Sequence, residues 1–164
     1  MMRVLLLAAA LALSSCGLRP MYAGGNSGAV AGSLRSIQVQ PISGKAGWLM
    51  HKALEARLGD HVEAPRYRLE VELDDNITGF GIRGDSAATR ERRTLRARYR
   101  LVDTTNGAVV LDATAGSDAG IDVVSSQYAT VAAEQTALER LSEVVADQMV
   151  GRLAMFVTRT SAGR

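Results

Sequence analysis

The strictest pattern in this chain is the alternation within residues 66–75, RYRLEVELDD. Odd positions from 67 to 73 are apolar, and even positions from 66 to 74 are charged, without an exception. Successive side chains of a β-strand point to opposite faces, so a period of two predicts a strand with one buried and one solvent-facing side. Such a strand needs another layer of secondary structure to cover its apolar side.

Two further segments alternate in the same way. Residues 93–103 predict a second half-buried strand, and residues 108–115 predict a third. Asn106-Gly107 lies between them and is a strong signal for a hairpin turn. Near Gly79-Phe80-Gly81 the apolar positions change from odd to even, which predicts a bulge. The side chains expected on one face are Leu95, Ala97, Tyr99 and Leu101 in the second strand, and Val109, Leu111, Ala113 and Ala115 in the third.

The C-terminal part of the chain has a helical period. Apolar residues recur three or four positions apart, which places them on one side of a helix, and Ser125 or Ser126 can cap its start. About 30 residues at 1.5 Å each give a helix roughly 45 Å long. The apolar stripe consists of Leu138, Leu141, Val145, Met149, Leu153 and Phe156. The residues expected to be buried together are Leu69, Val71, Tyr99, Leu101, Leu141, Val145 and Met149.

Two shorter elements precede the alternating strand. Residues 36–42, SIQVQPI, predict a first strand with Pro41 at its end or on an edge. Residues 46–58 have helical spacing, and Gly59 follows where a helix end favours a left-handed residue. The order β-α-β-β-β-α predicts an α+β fold in which two helices pack on one face of a mostly antiparallel four-stranded sheet.

The amino terminus has the pattern of an export signal with lipid attachment. Arg3 precedes ten apolar residues, 4–13, a run too short to span a bilayer. Leu13-Ser14-Ser15-Cys16 resembles the bacterial lipobox, in which the signal is cut just before the cysteine and the thiol is acylated. Gly17, where an Asp is absent, resembles lipoproteins sorted to the outer membrane. We predict a signal peptide over 1–15, a lipidated N-terminus and flexible tether over 16–34, one domain over 35–158 and a tail over 159–164.

Neither the charge nor the composition of the chain indicates nucleic-acid binding or catalysis. After loss of Arg3 the formal charge is about +1, too small to predict nucleic-acid binding. His51 and His61 are ten positions apart without cysteine or carboxylate at ligand spacing, so no metal site is predicted. No Gly-x-Ser-x-Gly, phosphate loop or Gly-x-Gly-x-x-Gly occurs. We expect the carboxylates of 70–75 to form solvated ion pairs, and we predict no enzyme.

Two stretches resemble one known family. Cys16-Gly17-Leu18-Arg19-Pro20-Met21-Tyr22 is similar to the opening of the LPS-assembly lipoprotein (LptE) family. Residues 125–156 resemble the last helix of its alphaproteobacterial members, through Tyr128-Ala129, Ala132-Ala133-Glu134 and Ala146-Asp147-Gln148. The single cysteine and the order of elements also fit this family.

The resemblance implies a specific function. Members are lipid-anchored on the periplasmic side of the outer membrane, where they plug the LPS-translocating β-barrel (LptD) and help to assemble it. They bind lipopolysaccharide on its way to the outer leaflet, and they have no catalytic residue and no cofactor. The expected partners are therefore the barrel, lipopolysaccharide and, through acyl chains on Cys16, the membrane.

Two other functions stay open at this point. One is an auxiliary periplasmic lipoprotein of an ABC-type lipid transport system, which also combines a lipobox with a small α+β domain. The other is a peptidoglycan-binding lipoprotein, although no acidic, Asn-rich pocket motif is present.

Arginines are concentrated in one short stretch. Seven of the 17 lie between residues 83 and 100. If strands 67–77 and 93–103 form a hairpin centred near 85–86, then Arg96, Arg98 and Arg100 face Asn76, Asp74, Glu72 or Glu70 as cross-strand partners. The arginines closer to the tip have too few carboxylates in this scheme, so they are either a solvated hairpin end or contacts for lipopolysaccharide phosphates or barrel acids. These residues are Arg83, Arg90, Arg92 and Arg93.

Overall fold

The alternating segment begins the first of three long strands. The computed structural model describes residues 29–60, 62–82 and 88–162. Its elements in chain order are α1 (Ala29–Leu34), β1 (Ile37–Val39), α2 (Gly44–Leu58), β2 (Tyr67–Ile82), β3 (Ala88–Asp103), β4 (Val109–Asp122) and α3 (Gln127–Ala162).

The strands form one four-stranded sheet in the order β1-β2-β3-β4. β1 runs parallel to β2, and the other two pairings are antiparallel. The parallel pairing follows from the crossover through α2, which returns the chain to the same end of the sheet. The predicted fold class, α+β with a mostly antiparallel four-stranded sheet, is confirmed.

The register of the long hairpin is also as predicted. β2 and β3 pair in one unchanged antiparallel register that is centred on residue 85. The outward pairs are Glu70 with Arg100, Glu72 with Arg98, Asp74 with Arg96 and Asn76 with Thr94.

The prediction of a bulge near Gly79-Phe80-Gly81 is wrong. The β2–β3 register passes unchanged from Phe80–Arg90 to Ile82–Ala88, although Gly81 has a φ of +76°. The register shift lies instead between β3 and β4, next to Leu101 and Val102. Because of this shift, Val109 does not continue the buried face of β4 and is 52% exposed.

The Asn106-Gly107 turn joins β3 and β4 as expected. Gly107 has a φ of +72°, which glycine adopts without steric cost. Its N–H donates to the Asp103 carbonyl at 2.8 Å, and the Asp103 N–H donates to the Ala108 carbonyl at 2.9 Å. These bonds close the turn and start the β3–β4 ladder.

Both long helices cover the same face of the sheet. α3 has 36 residues, about 54 Å at 1.5 Å per residue, and so exceeds the predicted length. Its N–H at Ala129 donates to Ser126 Oγ, as expected for a capping serine. Of the residues predicted to share the core, Val71 is partly buried and the others are at most 3% exposed. Phe156 at the end of the stripe is also partly buried and meets the Tyr67 ring edge-on at 6.1 Å.

A short helix precedes the sheet. α1 lies inside the range 16–34 that the sequence assigned to the lipidated N-terminus and tether, and its last residue, Leu34, is 4% exposed in the core. The Val62 N–H donates to the Arg35 carbonyl, which ties the chain after α1 to the segment after α2.

Within the described ranges, no helix is both long and apolar enough to cross a membrane.

Candidate binding surface

A row of arginines occupies the sheet face opposite the helices. Leu95, Ala97, Tyr99 and Leu101 of β3 are fully buried beneath the helices, so their even-numbered neighbours point to the other face. The members of this arginine row are Arg90, Arg92, Arg96, Arg98 and Arg100. We call the end of the sheet where β1 pairs with β2 proximal, and the end at Ile82 and Ala88 distal.

The proximal members of the row are held by carboxylates. Arg100 Nη2 lies 3.2 Å from Glu70 Oε2, as the predicted cross-strand pairing requires. Arg98 instead donates to Asp112 of β4, with Nη2 2.9 Å from Oδ2. This hydrogen bond raises the pKa of Arg98 and lowers the pKa of the Asp112 carboxyl. The expectation that Arg98 pairs with an acid of β2 is therefore wrong, because its partner lies on β4.

The distal members form solvent-exposed pairs with carboxylates of β4. Arg92 Nε lies 3.8 Å from Asp118 Oδ2, and Arg90 Nε lies 3.2 Å from Asp122 Oδ1. The two arginine side chains are 59% and 66% exposed. Exposed pairs of this kind contribute about 0–1 kcal/mol, so an anionic ligand can replace the protein carboxylate at small cost.

Arg92 also lies beside an exposed aromatic ring. Its guanidinium carbon is 5.6 Å from the centroid of Phe80, which is 41% exposed on the same face. A cation over an aromatic ring presents both a charged and an apolar contact to one ligand. An amphiphile with phosphate and hydrocarbon parts matches that combination.

Arg96 is the row member for which the described residues offer no carboxylate within 4.0 Å. Asp74 is its cross-strand neighbour, yet the two form no ion pair. On the other side its neighbour is Gly116, and the Arg96 side chain fills the space where a side chain at 116 would begin: a Cβ there would lie 2.8 Å from Arg96 Cδ. The guanidinium therefore lies on the exposed face with its donors available to a ligand.

Arg93 differs from the other distal arginines because its odd number places it beneath the helices. Its Nε and Nη2 donate to the two carboxylate oxygens of Asp75 at 2.8 and 2.6 Å, and Nη1 donates to the Glu134 carbonyl of α3 at 2.9 Å. The side chain is 12% exposed, and the bond to Asp75 raises the pKa of Arg93. Arg93 therefore connects the sheet to α3.

These contacts correct one premise of the sequence analysis. Arg90, Arg92 and Arg93 were expected to have too few carboxylates, and each has one, from β4 in two cases and from β2 in the third. The hypothesis that they contact lipopolysaccharide or the barrel is a separate matter and stays a prediction. Arg83 and Cys16 lie outside the described residues.

The predicted absence of a metal site concerned two histidines. His51 Nδ1 lies 3.3 Å from Glu55 Oε2, one turn along α2, and His61 is outside the described residues. Among those that are described, no group of three or more His, Cys, Asp or Glu could hold a metal ion.

Sequence reasoning missed the special position of Arg96. It was treated as a cross-strand partner of the β2 acids, together with Arg98 and Arg100. The signal was the glycine at 116, which pairs with Arg96 only if β4 continues past residue 115, where the predicted strand ended.

Comparisons with solved structures identify the class of protein. A Caulobacter crescentus chain described as a lipoprotein superposes with a TM-score of 0.68 at 26% identity, covering 81% of this chain and 98% of its own. A minor lipoprotein from Acinetobacter baumannii has a TM-score of 0.60 at 12% identity, covering 74% and 92%. Rare lipoprotein B from Shewanella oneidensis has a TM-score of 0.56 at 10% identity, covering 76% and 98%. The last two show the shared fold alone, and no curated protein gives a significant match.

The chain thus shares its fold, a sheet covered by helices on one face, with small lipoproteins. The family model for lipopolysaccharide assembly, LptE, matches residues 34–153. The chain belongs to the LptE family, as the sequence resemblance indicated. It is therefore a lipoprotein of lipopolysaccharide assembly.

Proposed function

We propose that this protein is an outer-membrane lipoprotein that plugs the LPS-translocating β-barrel (LptD), helps to assemble it and binds lipopolysaccharide during its insertion into the outer leaflet. Family membership supports the assembly function. The observation that carries the binding function is the distal part of the arginine row, where Arg96 has no carboxylate partner in the described residues and the pairs of Arg90 and Arg92 are exposed to solvent.

Guanidinium groups suit the phosphates of lipopolysaccharide. The planar fork of donors can bind two oxygens of one phosphate. Arg92 beside Phe80 adds an apolar surface for the hydrocarbon part of the same molecule. Arg93 is held by Asp75 and by α3, so we propose that it orders this surface and contributes less to ligand contact than Arg90 and Arg92.

Attachment to the membrane is proposed to occur through Cys16. Mass spectrometry of the membrane-extracted protein is expected to show residues 1–15 removed and fatty acid on residue 16. Cys16→Ser is expected to leave an unprocessed precursor. Normal processing of that variant would remove the lipobox interpretation.

The barrel partner is tested by purification under mild detergent and by depletion. A large outer-membrane β-barrel is expected to co-purify with the tagged protein, and depletion is expected to lower the amount of assembled barrel. Co-purification of an inner-membrane transporter instead, with normal barrel levels, would favour an auxiliary lipoprotein of an ABC-type lipid transport system.

A further inference from the structure

One edge of the sheet has a vacant position for another strand. β1 pairs only along Ile37–Val39 with Tyr67–Leu69, whereas β2 continues to Ile82. The last hydrogen bond on this side of β2 runs from the Gln40 N–H to the Leu69 carbonyl, after which the chain continues into α2. Within the described ranges, no strand pairs with this side of β2 from residue 71 onward.

The backbone groups that face the vacant position can be identified. The Tyr67 N–H donates to the Ser36 carbonyl at 3.0 Å, and the Leu69 carbonyl accepts from Gln40 at 2.9 Å, both on the β1 side. The Arg66 carbonyl accepts from Thr104 at 3.0 Å, on the opposite side. Since the direction alternates along a strand, the N–H and C=O groups that point to the open edge, and that pair with no strand in the described part of the chain, are those of Val71, Leu73, Asp75 and Ile77.

A groove of about 810 Å³ lies beside this edge on the helical side of the sheet. It is bounded by the start of α2, by β2 and by the first half of α3. Its apolar lining includes Ala46, Leu73, Val131, Ala132 and Leu138. A strand added to β2 would place every second side chain in this groove.

The opposite side of the open edge is acidic. Glu72 is 73% exposed and approaches Arg100 only to 3.7 Å, and Asp74 has no ion-pair partner among the described residues. Neighbours on an added strand would face these carboxylates, so basic residues would be favoured there. The same edge of a second copy would bring acids opposite acids and is disfavoured.

We propose that the open edge of β2 over residues 71–79 is a docking site for an extended segment of a partner protein in which apolar and basic residues alternate. The apolar side chains occupy the groove, the basic ones face Glu72 and Asp74, and the backbone groups complete a fifth strand. Open strand edges bind extended peptides in this way in other proteins. The proposal is independent of the arginine row and of the lipopolysaccharide partner.

Amide hydrogen exchange of the mature, full-length protein tests this site. The probes are a nine-residue peptide of alternating Lys and Val and its counterpart of alternating Glu and Val. At a concentration about ten times its dissociation constant, the basic peptide is expected to slow exchange at Val71, Leu73, Asp75 and Ile77 about tenfold. Amides of β4, the other edge strand, serve as the internal control and are expected to exchange as before.

Two variants separate strand addition from simple charge attraction. Ile77→Pro removes one edge donor without removing an N–H that faces β3, and it is expected to weaken basic-peptide binding about tenfold. Ile77→Thr keeps the donor and is expected to bind like the parent. Glu72→Arg with Asp74→Arg is expected to reverse the preference toward the acidic peptide, and it keeps the test decisive if the proline variant does not fold.

Three outcomes would overturn the proposal. One is equal binding of both peptides to the parent protein. Another is protection at β4 without protection at 71–79. The third is protection of 71–79 without any peptide in a dimeric protein, which would make a second copy the occupant.

Discussion

The proximal and distal halves of the β2–β3 hairpin have the same backbone pairing and different surroundings. In the proximal half, Leu69 and Tyr99 are fully buried beneath α2 and α3. In the distal half, Ile77 and Phe80 are 36% and 41% exposed, and Arg90, Arg92 and Arg93 form ion pairs with neighbouring carboxylates. One continuous strand pair therefore supplies the fold at one end and an accessible surface at the other.

The comparison predicts its largest effect in the core. Leu69→Ala is expected to lower the free energy of unfolding by about 2–5 kcal/mol, because it leaves a cavity under both helices. Ile77→Ala, on the same face of the same strand, is expected to cost less than about 1 kcal/mol since its side chain is already in contact with water. Chemical denaturation measures both. Equal losses would contradict the division between the two halves.

A smaller effect is expected where the distal half is attached to α3. Arg93→Met removes a bidentate pair with Asp75 and a bond to the Glu134 carbonyl, and it is expected to cost about 1–3 kcal/mol. Arg90→Met, which removes the exposed pair with Asp122, is expected to cost about 0–1 kcal/mol. If the two variants unfold at the same denaturant concentration, Arg93 does not connect the sheet to α3.

The smallest expected effect is on the pH dependence of stability, through the ion pair between Arg57 of α2 and Asp147 of α3. The hydrogen bond from Arg57 lowers the pKa of the Asp147 carboxyl. A lowered folded-state pKa gives stability that is present at neutral pH and is lost as the pH falls below the ordinary value of about 4. Asp147→Asn is therefore expected to flatten the decline of stability in acid. Asp60→Asn, an exposed position without an ion pair in the described part of the chain, serves as its control, and identical profiles would contradict the assignment.

The parts of the fold that sequence predicted are those set by local periodicity. The period of two in residues 66–75 and 93–103 placed Leu69 and Tyr99 on one face and fixed the hairpin register. The spacing of the last helix identified its buried stripe. These patterns identify the buried face of a helix or strand directly, so they can be read from the sequence without knowing which element covers that face.

The parts that sequence did not predict depend on neighbours from other elements. Arg98 pairs with Asp112 instead of the β2 acids because β4 lies alongside. The Arg96 side chain extends over Gly116 of β4 and forms no ion pair with its β2 neighbour, Asp74. The odd number of Arg93 indicated the helical face, but its contact with Glu134 required the position of α3. The phase change at 79–81 resembled a bulge because that part of the hairpin is exposed on both faces and carries no clear apolar side.

The central claim is that the distal arginine row binds lipopolysaccharide, and one titration tests it most directly. Arg90→Ser/Arg92→Ser/Arg96→Ser is compared with Arg68→Ser/Arg98→Ser/Arg100→Ser. The second variant removes the same charge from three arginines that all have a carboxylate partner, whereas Arg96 in the first has none among the described residues. Labelled lipopolysaccharide is titrated into each purified protein, after thermal unfolding has shown that both are folded. The distal variant is expected to lose about tenfold or more in affinity and the proximal variant less than about threefold. Equal losses would show that only net charge matters, and unchanged binding by the distal variant would contradict the claim.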